Sequence, residues 1–180
     1  MNLDAFKPNT VYVTYIASTP EKVWEALTSG EATKQYFFGR RIEIELKPGG
    51  LFRFWQPDGT LDVEGKVVEC DPPRKLSVTW KVMWIAELKK LPECLVTYQI
   101  DELGKVVRLT MTEAHQIELD PKILEGGRRG WPVILNNLKT LLETGKPLPE
   151  FDFMSDAKKS LEEMKTAAER QVGMPNDGRE

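Results

Sequence analysis

The sequence has few of the side chains that bind transition metals or cross-link a chain. Its 180 residues include one histidine, His115, and two cysteines, Cys70 and Cys94. This set is too small for a disulfide framework or for a zinc site made of thiolates and imidazoles. We therefore expect two reduced thiols, no metal site and no cofactor.

Neither sign of charge dominates, and long apolar runs are absent. Lysine and arginine number 25 and aspartate and glutamate 28, for a net charge of −3, so no dense positive field is available for a nucleic-acid backbone. No stretch approaches the roughly 18 apolar residues of a membrane-spanning helix. The opening residues, MNLDAFKPNT, lack the basic and apolar regions of a secretory leader. These features predict a cytoplasmic protein that neither binds nucleic acid nor spans a membrane.

The chain divides into one domain and an extension. Hydrophobic residues make up 41% of it, which is enough for a globular core. Residues 145–149, GKPLP, combine a helix-ending glycine with two prolines. Residues 1–148 are therefore predicted to form the domain. Residues 149–180, where eight acidic side chains outnumber five basic ones, are predicted to form a surface helix followed by a frayed tail.

The first elements of the domain are predicted to be a strand and two short helices. Residues 10–17 are rich in β-branched and aromatic side chains, as strands are. A helix then begins, either with Thr19 as its N-cap or with a capping box that starts at Ser18. Gly30 is expected to end that helix, and residues 31–38 predict a second short one.

The middle of the domain is predicted to be a β-meander. From Arg41 to Met111, apolar and polar residues alternate between turns, which is typical of strands with one face in water. The clearest run extends from Leu76 to Val82. The turns are too short to connect parallel strands, so the pattern predicts about six antiparallel strands here.

One long amphipathic helix is predicted to follow the strands. Apolar residues recur at helical spacing over residues 131–142, ahead of Gly145. Pro132 fits if the helix begins near Trp131, or if a turn over residues 120–129 meets it at a kink. The preceding GGRRG run, residues 126–130, resembles an anion cradle. Because the lysine and hydroxyl residue of a P-loop are missing, a flexible connection is the favoured interpretation.

The order of these elements predicts an α+β fold in which a curved antiparallel sheet of six to seven strands wraps the long helix. Such a seam is either filled by side chains or hollow, because indole and phenol rings pack less completely than aliphatic groups. We interpret it as a ligand pocket. Its expected lining is Trp80, Tyr98, Met111, Trp131, Leu135 and Leu138.

Four segments carry a family resemblance over about residues 10–146. These are STPEKVWEALTSGEATKQYF, PGGLFRF, GKVVECDPPRKLSVTW and GWPVILNNLKTLLETG. In this order they resemble the START-like (SRPBCC) superfamily, which has a helix-grip fold, and within it the bacterial family named after the activator of heat-shock-protein-90 ATPase. The resemblance implies a cavity between sheet and helix and, in many relatives, an apolar ligand. It implies no fixed catalytic set.

Three functions are consistent with this resemblance. The leading one is non-enzymatic binding of a small apolar or amphipathic ligand. The alternatives are a stress-related co-chaperone or interaction module, with a chaperone as partner, and a cyclase-like enzyme. The eukaryotic co-chaperone has a separate N-terminal domain that engages the chaperone, and only nine residues precede the first predicted strand here, so the ligand carrier is preferred.

Few other residues are candidates for chemistry. His115 follows a strand and is positioned to act as a base, but no nucleophile or paired acidic motif accompanies it. A surface position is the favoured interpretation for it. Glu64 and Arg108 are expected on the wet face of the sheet, and a bulge would turn either one inward. Residues 83–92 are too apolar for a simple turn and are interpreted as a lid or a partner contact.

Overall fold

A computed structural model describes residues 2–149 and 154–173 of the chain, with side chains described outside 154–160. Seven strands form a single antiparallel sheet in the order β1-β7-β6-β5-β4-β3-β2. The strands are β1 Lys7–Ile16, β2 Arg41–Ile44, β3 Leu51–Trp55, β4 Leu61–Asp71, β5 Lys75–Val82, β6 Cys94–Leu103 and β7 Val106–His115.

Five α-helices accompany the sheet among the described residues. They are α1 Pro20–Thr28, α2 Gly30–Tyr36, α3 Ala86–Lys89, α4 Pro121–Thr144 and α5 Met154–Gly173. The curved sheet and the long helix α4 confirm the predicted α+β helix-grip architecture. The predicted extension helix corresponds to α5, while the predicted frayed tail lies outside the described residues.

The first two helices begin at side-chain caps. Thr19 Oγ1 accepts a hydrogen bond from Lys22 N at 3.4 Å, and a proline occupies the first helical position. This is the first of the two predicted registers. Ser29 Oγ accepts from Ala32 N at 3.4 Å and caps α2. Gly30 is therefore the first residue of α2. The prediction that Gly30 ends the first helix was wrong.

Helix α4 begins ten residues earlier than a start near Trp131. Asp120 caps it, with Oδ1 accepting from Lys122 N at 2.8 Å, and Pro132 lies inside the helix. Both interpretations of residues 126–130 were therefore wrong, because this run is helical. Proline removes one backbone hydrogen bond, but the first half of α4 buries Ile123 and Leu124. That apolar burial stabilises the part of the helix that precedes the proline.

The inner face of the sheet packs against α4, and the outer face carries ion pairs. On α4 the buried residues facing the sheet are Trp131, Ile134, Leu135 and Leu138. On the outer face, Glu64 Oε1 accepts from Arg53 Nη2 at 2.7 Å, and Asp101 Oδ2 accepts from Arg108 Nη2 at 3.0 Å. Among the described residues, no helix has the length and apolarity to cross a membrane.

Candidate ligand cavity

The seam between the sheet and the second half of α4 is almost filled. Phe37, at the end of α2, stacks on Phe54 with ring centroids 4.6 Å apart. Its ring also lies 6.1 Å from the Trp131 ring, edge to face. The space that remains among the side chains here is about 10 Å³, which is no more than one water molecule needs. Aromatic rings from three elements therefore fill the seam.

A larger cavity of about 280 Å³ lies at the neighbouring end of the sheet. Its walls come from the ends of β5, β6 and β7, from the first half of α4, and from residues 81–92. Its volume is just below the range of about 300–1,000 Å³ that is usual for small-molecule sites. The lining includes Trp80, Trp84, Ile85, Leu88, Leu91, Cys94, Glu113, His115, Ile123, Gly126, Gly127, Trp131 and Met164.

Two indoles separate the cavity from the filled seam. The rings of Trp80 and Trp131 meet edge to face with centroids 5.2 Å apart. Trp80 is on β5 and Trp131 is on α4, so this contact joins the sheet to the helix. A ligand in the cavity would lie against a wide aromatic surface.

One wall of the cavity is polar, and its groups are held in place. Glu113 Oε1 lies 2.8 Å from His115 Nε2, and Glu113 Oε2 accepts a hydrogen bond from Trp131 Nε1 at 2.9 Å. The side chains of His115 and Glu113 are only 10% and 14% exposed. His115 is thus a cavity residue and not a surface residue. The carboxylate of Glu113 faces the cavity from the end of β7. Its two oxygens are held by His115 and Trp131.

Cys94 completes this polar wall. It is the first residue of β6 and is buried, and its Sγ donates a weak hydrogen bond to Trp80 O at 3.5 Å. Burial, and then the negative charge of Glu113, raise the pKa of the Cys94 thiol well above its usual value. Burial and this charge thus favour the neutral thiol over the thiolate.

Two segments cover part of the cavity from outside. Residues 83–92 contain α3, and Ile85 and Leu91 from this segment are buried in a small apolar cluster. Helix α5 adds Met164, Ala167 and Ala168 to the same cluster. Gln171 fastens α5 to the start of α4, since its Nε2 donates to Glu118 O at 2.7 Å and its Oε1 accepts from Asp120 N at 3.0 Å.

The six residues expected to line a pocket are divided between two places. Trp80 and Trp131 line the cavity of about 280 Å³. Tyr98, Leu135 and Leu138, together with Trp131, surround the residual space of about 10 Å³. Met111 is fully buried in the core. Burial raises the pKa of the Tyr98 phenol well above its usual value, and the nearby Tyr36 adds to this shift.

Sequence reasoning did not associate Glu113 with the cavity, although a signal was present. Val107, Leu109 and Met111 alternate as inward-facing residues of β7. Extending the same alternation by four residues places Glu113 and His115 on the inner face. The polar character of these two residues suggested a solvent-exposed end of the strand, and local sequence carries no information about the segments that cover it.

The fold and the cavity define an α+β helix-grip protein with a concave, partly aromatic site beside the long helix. The sequence profile of the family described as activator of Hsp90 ATPase homolog 1-like protein matches residues 17–143. The chain belongs to this family. No curated protein matches the sequence.

Several solved structures share the fold. An HSP90 activator from Plasmodium falciparum has a TM-score of 0.60 and 23% identity, over 74% of this chain and 94% of its own. A protein from Mesorhizobium loti has a TM-score of 0.60 and 23% identity, over 74% and 96%. A conserved protein of unknown function from Enterococcus faecalis has a TM-score of 0.61 and 22% identity, over 90% of each chain.

Proposed function

We propose that the protein binds a small amphipathic molecule in the cavity of about 280 Å³. The apolar part of the ligand lies against Trp80 and Trp131, and a polar group of the ligand reaches the wall formed by Glu113 and His115. The observation that carries this proposal is the cavity itself, in which a carboxylate is held between an imidazole and an indole N–H.

The polar wall is expected to determine affinity. A ligand that loses roughly 200 Å² of apolar surface gains about 5 kcal/mol at ~25 cal/mol/Å². The loss of translational and rotational freedom costs at least about 4 kcal/mol. Apolar contact alone therefore gives weak binding, and a hydrogen bond to Glu113 would supply the affinity and the orientation of the ligand.

A matched pair of substitutions tests this proposal. Leu88→Trp places an indole in the cavity, since Leu88 lines it from α3. Leu103→Trp makes the same change at a residue that is 48% exposed at the end of β6. Titration with a fluorescent apolar probe should show micromolar binding to the wild type and to Leu103→Trp, and at least 10-fold weaker binding to Leu88→Trp. Equal binding by all three proteins contradicts the proposed site.

Native mass spectrometry of freshly purified protein identifies the ligand class. A co-purified small molecule is expected in the wild type and should be absent from Leu88→Trp. If the bound molecule persists in Leu88→Trp at the wild-type level, it lies outside the cavity and the proposed site is wrong.

The family supports a second candidate function, that of a co-chaperone. Its description names activation of the Hsp90 ATPase, and one structural relative is an HSP90 activator. Pull-down with a purified bacterial chaperone of this class and a measurement of its ATPase rate test this candidate together. Association and a raised rate support it, while a negative result in both removes it.

A further inference from the structure

Three metal-ligating side chains come together on one wall of the cavity. Glu113 and His115 are two residues apart on β7 and therefore face the same side of the sheet. In the neighbouring strand β6, Leu95 pairs with Ala114 and Val96 pairs with Glu113. This register places Cys94 directly beside His115. Two adjacent strands thus bring a thiol, a carboxylate and an imidazole close together.

The spacing of the three groups is close to that of a metal site. One ligand atom from each residue lies within 4.8 Å of the other two. Zinc bonds of about 2.0–2.3 Å in tetrahedral geometry hold such atoms about 3.4–3.7 Å apart. A side-chain movement of about 1 Å therefore completes the arrangement, and the adjoining cavity provides space for it.

The charges and the surrounding groups favour a divalent cation. A thiolate and a carboxylate together neutralise a 2+ ion, which reduces the cost of holding it in a poorly solvated wall. Trp131 Nε1 already donates to Glu113 Oε2, and this hydrogen bond can persist while Oε1 and His115 Nε2 exchange their 2.8 Å contact for bonds to the cation. This is the supporting role that outer hydrogen bonds have at metal centres.

We propose that Cys94, Glu113 and His115 bind one Zn²⁺ ion and leave its fourth position open to the cavity. The ligands would be Cys94 Sγ, Glu113 Oε1 and His115 Nε2. Binding replaces the thiol S–H bond with an S–Zn bond and releases the proton to water. Three protein ligands and an open position form the pattern of sites at which zinc holds a water molecule or a ligand. The site does not depend on the proposed small-molecule binding.

Competition with a chromophoric chelator measures the zinc affinity of metal-stripped protein, with any affinity tag removed. One Zn²⁺ per chain is expected. Cys94→Ser, Glu113→Gln and His115→Gln should each weaken binding more than about 100-fold, and Trp131→Phe, which keeps a ring but loses the indole donor, should weaken it about 10-fold. Cys70→Ser is the control, because Cys70 lies on β4 away from the cavity lining and should leave affinity unchanged.

Co²⁺ provides a second readout that depends on the thiol. A thiolate-to-cobalt charge-transfer band should appear in the wild type and in Cys70→Ser and should be missing from Cys94→Ser. Absence of zinc binding in the wild type overturns the proposal, and so does an unchanged band in Cys94→Ser. Far-UV circular dichroism of the metal-free variants separates loss of ligation from loss of folding. Binding of the apolar probe by metal-free protein is scored separately, so that this proposal and the proposed function can fail independently.

Discussion

Gly127 of α4 lies directly against the carboxylate of Glu113: a Cβ atom at Gly127 would be 3.0 Å from Glu113 Oε2. That oxygen is already held by the indole N–H of Trp131. The helix can approach the polar wall of the cavity at this point only because the residue has no side chain. The glycine thus contributes to the position of the carboxylate.

Gly127→Ala and Gly130→Ala should consequently differ in their effect on stability. Alanine in a helix is favoured over glycine by up to about 1 kcal/mol. At Gly130 no atom lies within 4 Å of the added Cβ, so Gly130→Ala should raise the free energy of unfolding by about 0.5–1 kcal/mol. At Gly127 the contact with a fixed carboxylate offsets this gain, and no stabilisation or a net loss is expected. Urea denaturation measures both, and equal stabilisation would show that Glu113 moves freely.

Substitutions in the filled seam and in the cavity should separate stability from binding. Leu138 is fully buried beside the residual space of the seam, so Leu138→Ala should lower the free energy of unfolding by about 3 kcal/mol and leave probe affinity nearly unchanged. Trp80→Ala removes part of the cavity wall and should weaken probe binding at least 10-fold. Denaturation and probe titration of both variants test this. A large loss of binding in Leu138→Ala would place the ligand in the seam.

The ion pair between Arg40 and Asp62 should stabilise the fold mainly at neutral pH. Arg40 Nε donates to Asp62 Oδ2 at 2.7 Å, and the Asp62 side chain is 5% exposed. Arg40→Gln leaves that carboxylate buried without its cation and should cost about 2 kcal/mol at pH 7. Arg53→Gln is the matched control. Its pair with Glu64 is 33% and 40% exposed, so the expected cost is below about 1 kcal/mol.

The effect of Arg40→Gln should diminish as the pH falls. Burial raises the pKa of the Asp62 carboxyl above its usual 3.8, against the opposing effect of Arg40. A carboxyl whose pKa is higher in the folded state stabilises that state fully when the pH is below its pKa in the unfolded chain. This stabilisation is lost as the pH rises through its pKa in the folded state. Without Arg40 the pKa of Asp62 in the folded state is higher still. The additional loss of folding stability therefore occurs as the pH approaches neutrality. Denaturation experiments at pH 7 and near pH 4 check this. The difference in the free energy of unfolding between Arg40→Gln and the wild type should be smaller near pH 4 than at pH 7.

Glu143 should stabilise the junction of β1 and α4 above its titration range. Glu143 Oε1 accepts from Ala17 N at 2.8 Å and also contacts Lys139 Nζ. The Ala17 N–H, followed by Lys139, lowers the pKa of Glu143 below its usual 4.5, so its contribution is present above that value and is lost as the pH falls through the lowered pKa. Glu143→Gln keeps an acceptor but loses the charge, and should cost about 0.5–1 kcal/mol at pH 7.

A pH series checks the Glu143 prediction. The free energy of unfolding of Glu143→Gln should converge with that of the wild type as the pH decreases below 4.5. A difference that stays constant over this range would mean that the shape of the side chain, and not its charge, supports the junction.

Local sequence was sufficient to predict most of the sheet and the first two helices, but not α3. Alternation of apolar and polar residues predicted β5 and its neighbours because a half-buried strand exposes every second side chain. The Thr19–Pro20 pair marked the start of α1 because it supplies both a cap and a fixed backbone angle. Local rules failed at the start of α4, because burial of Ile123 and Leu124 outweighs the hydrogen bond that Pro132 removes.

The sequence by itself determined an α+β chain with a curved sheet on a long helix and two tryptophans at their junction, since these follow from periodicity along the chain, while four motifs carried the family resemblance. Only the tertiary structure decided where space remains. Phe37 and Phe54 fill the seam, while Met164 and residues 83–92 line a separate cavity beside Cys94, Glu113 and His115. Those contacts join residues far apart in sequence, so they depend on how the elements pack and cannot be deduced from local patterns.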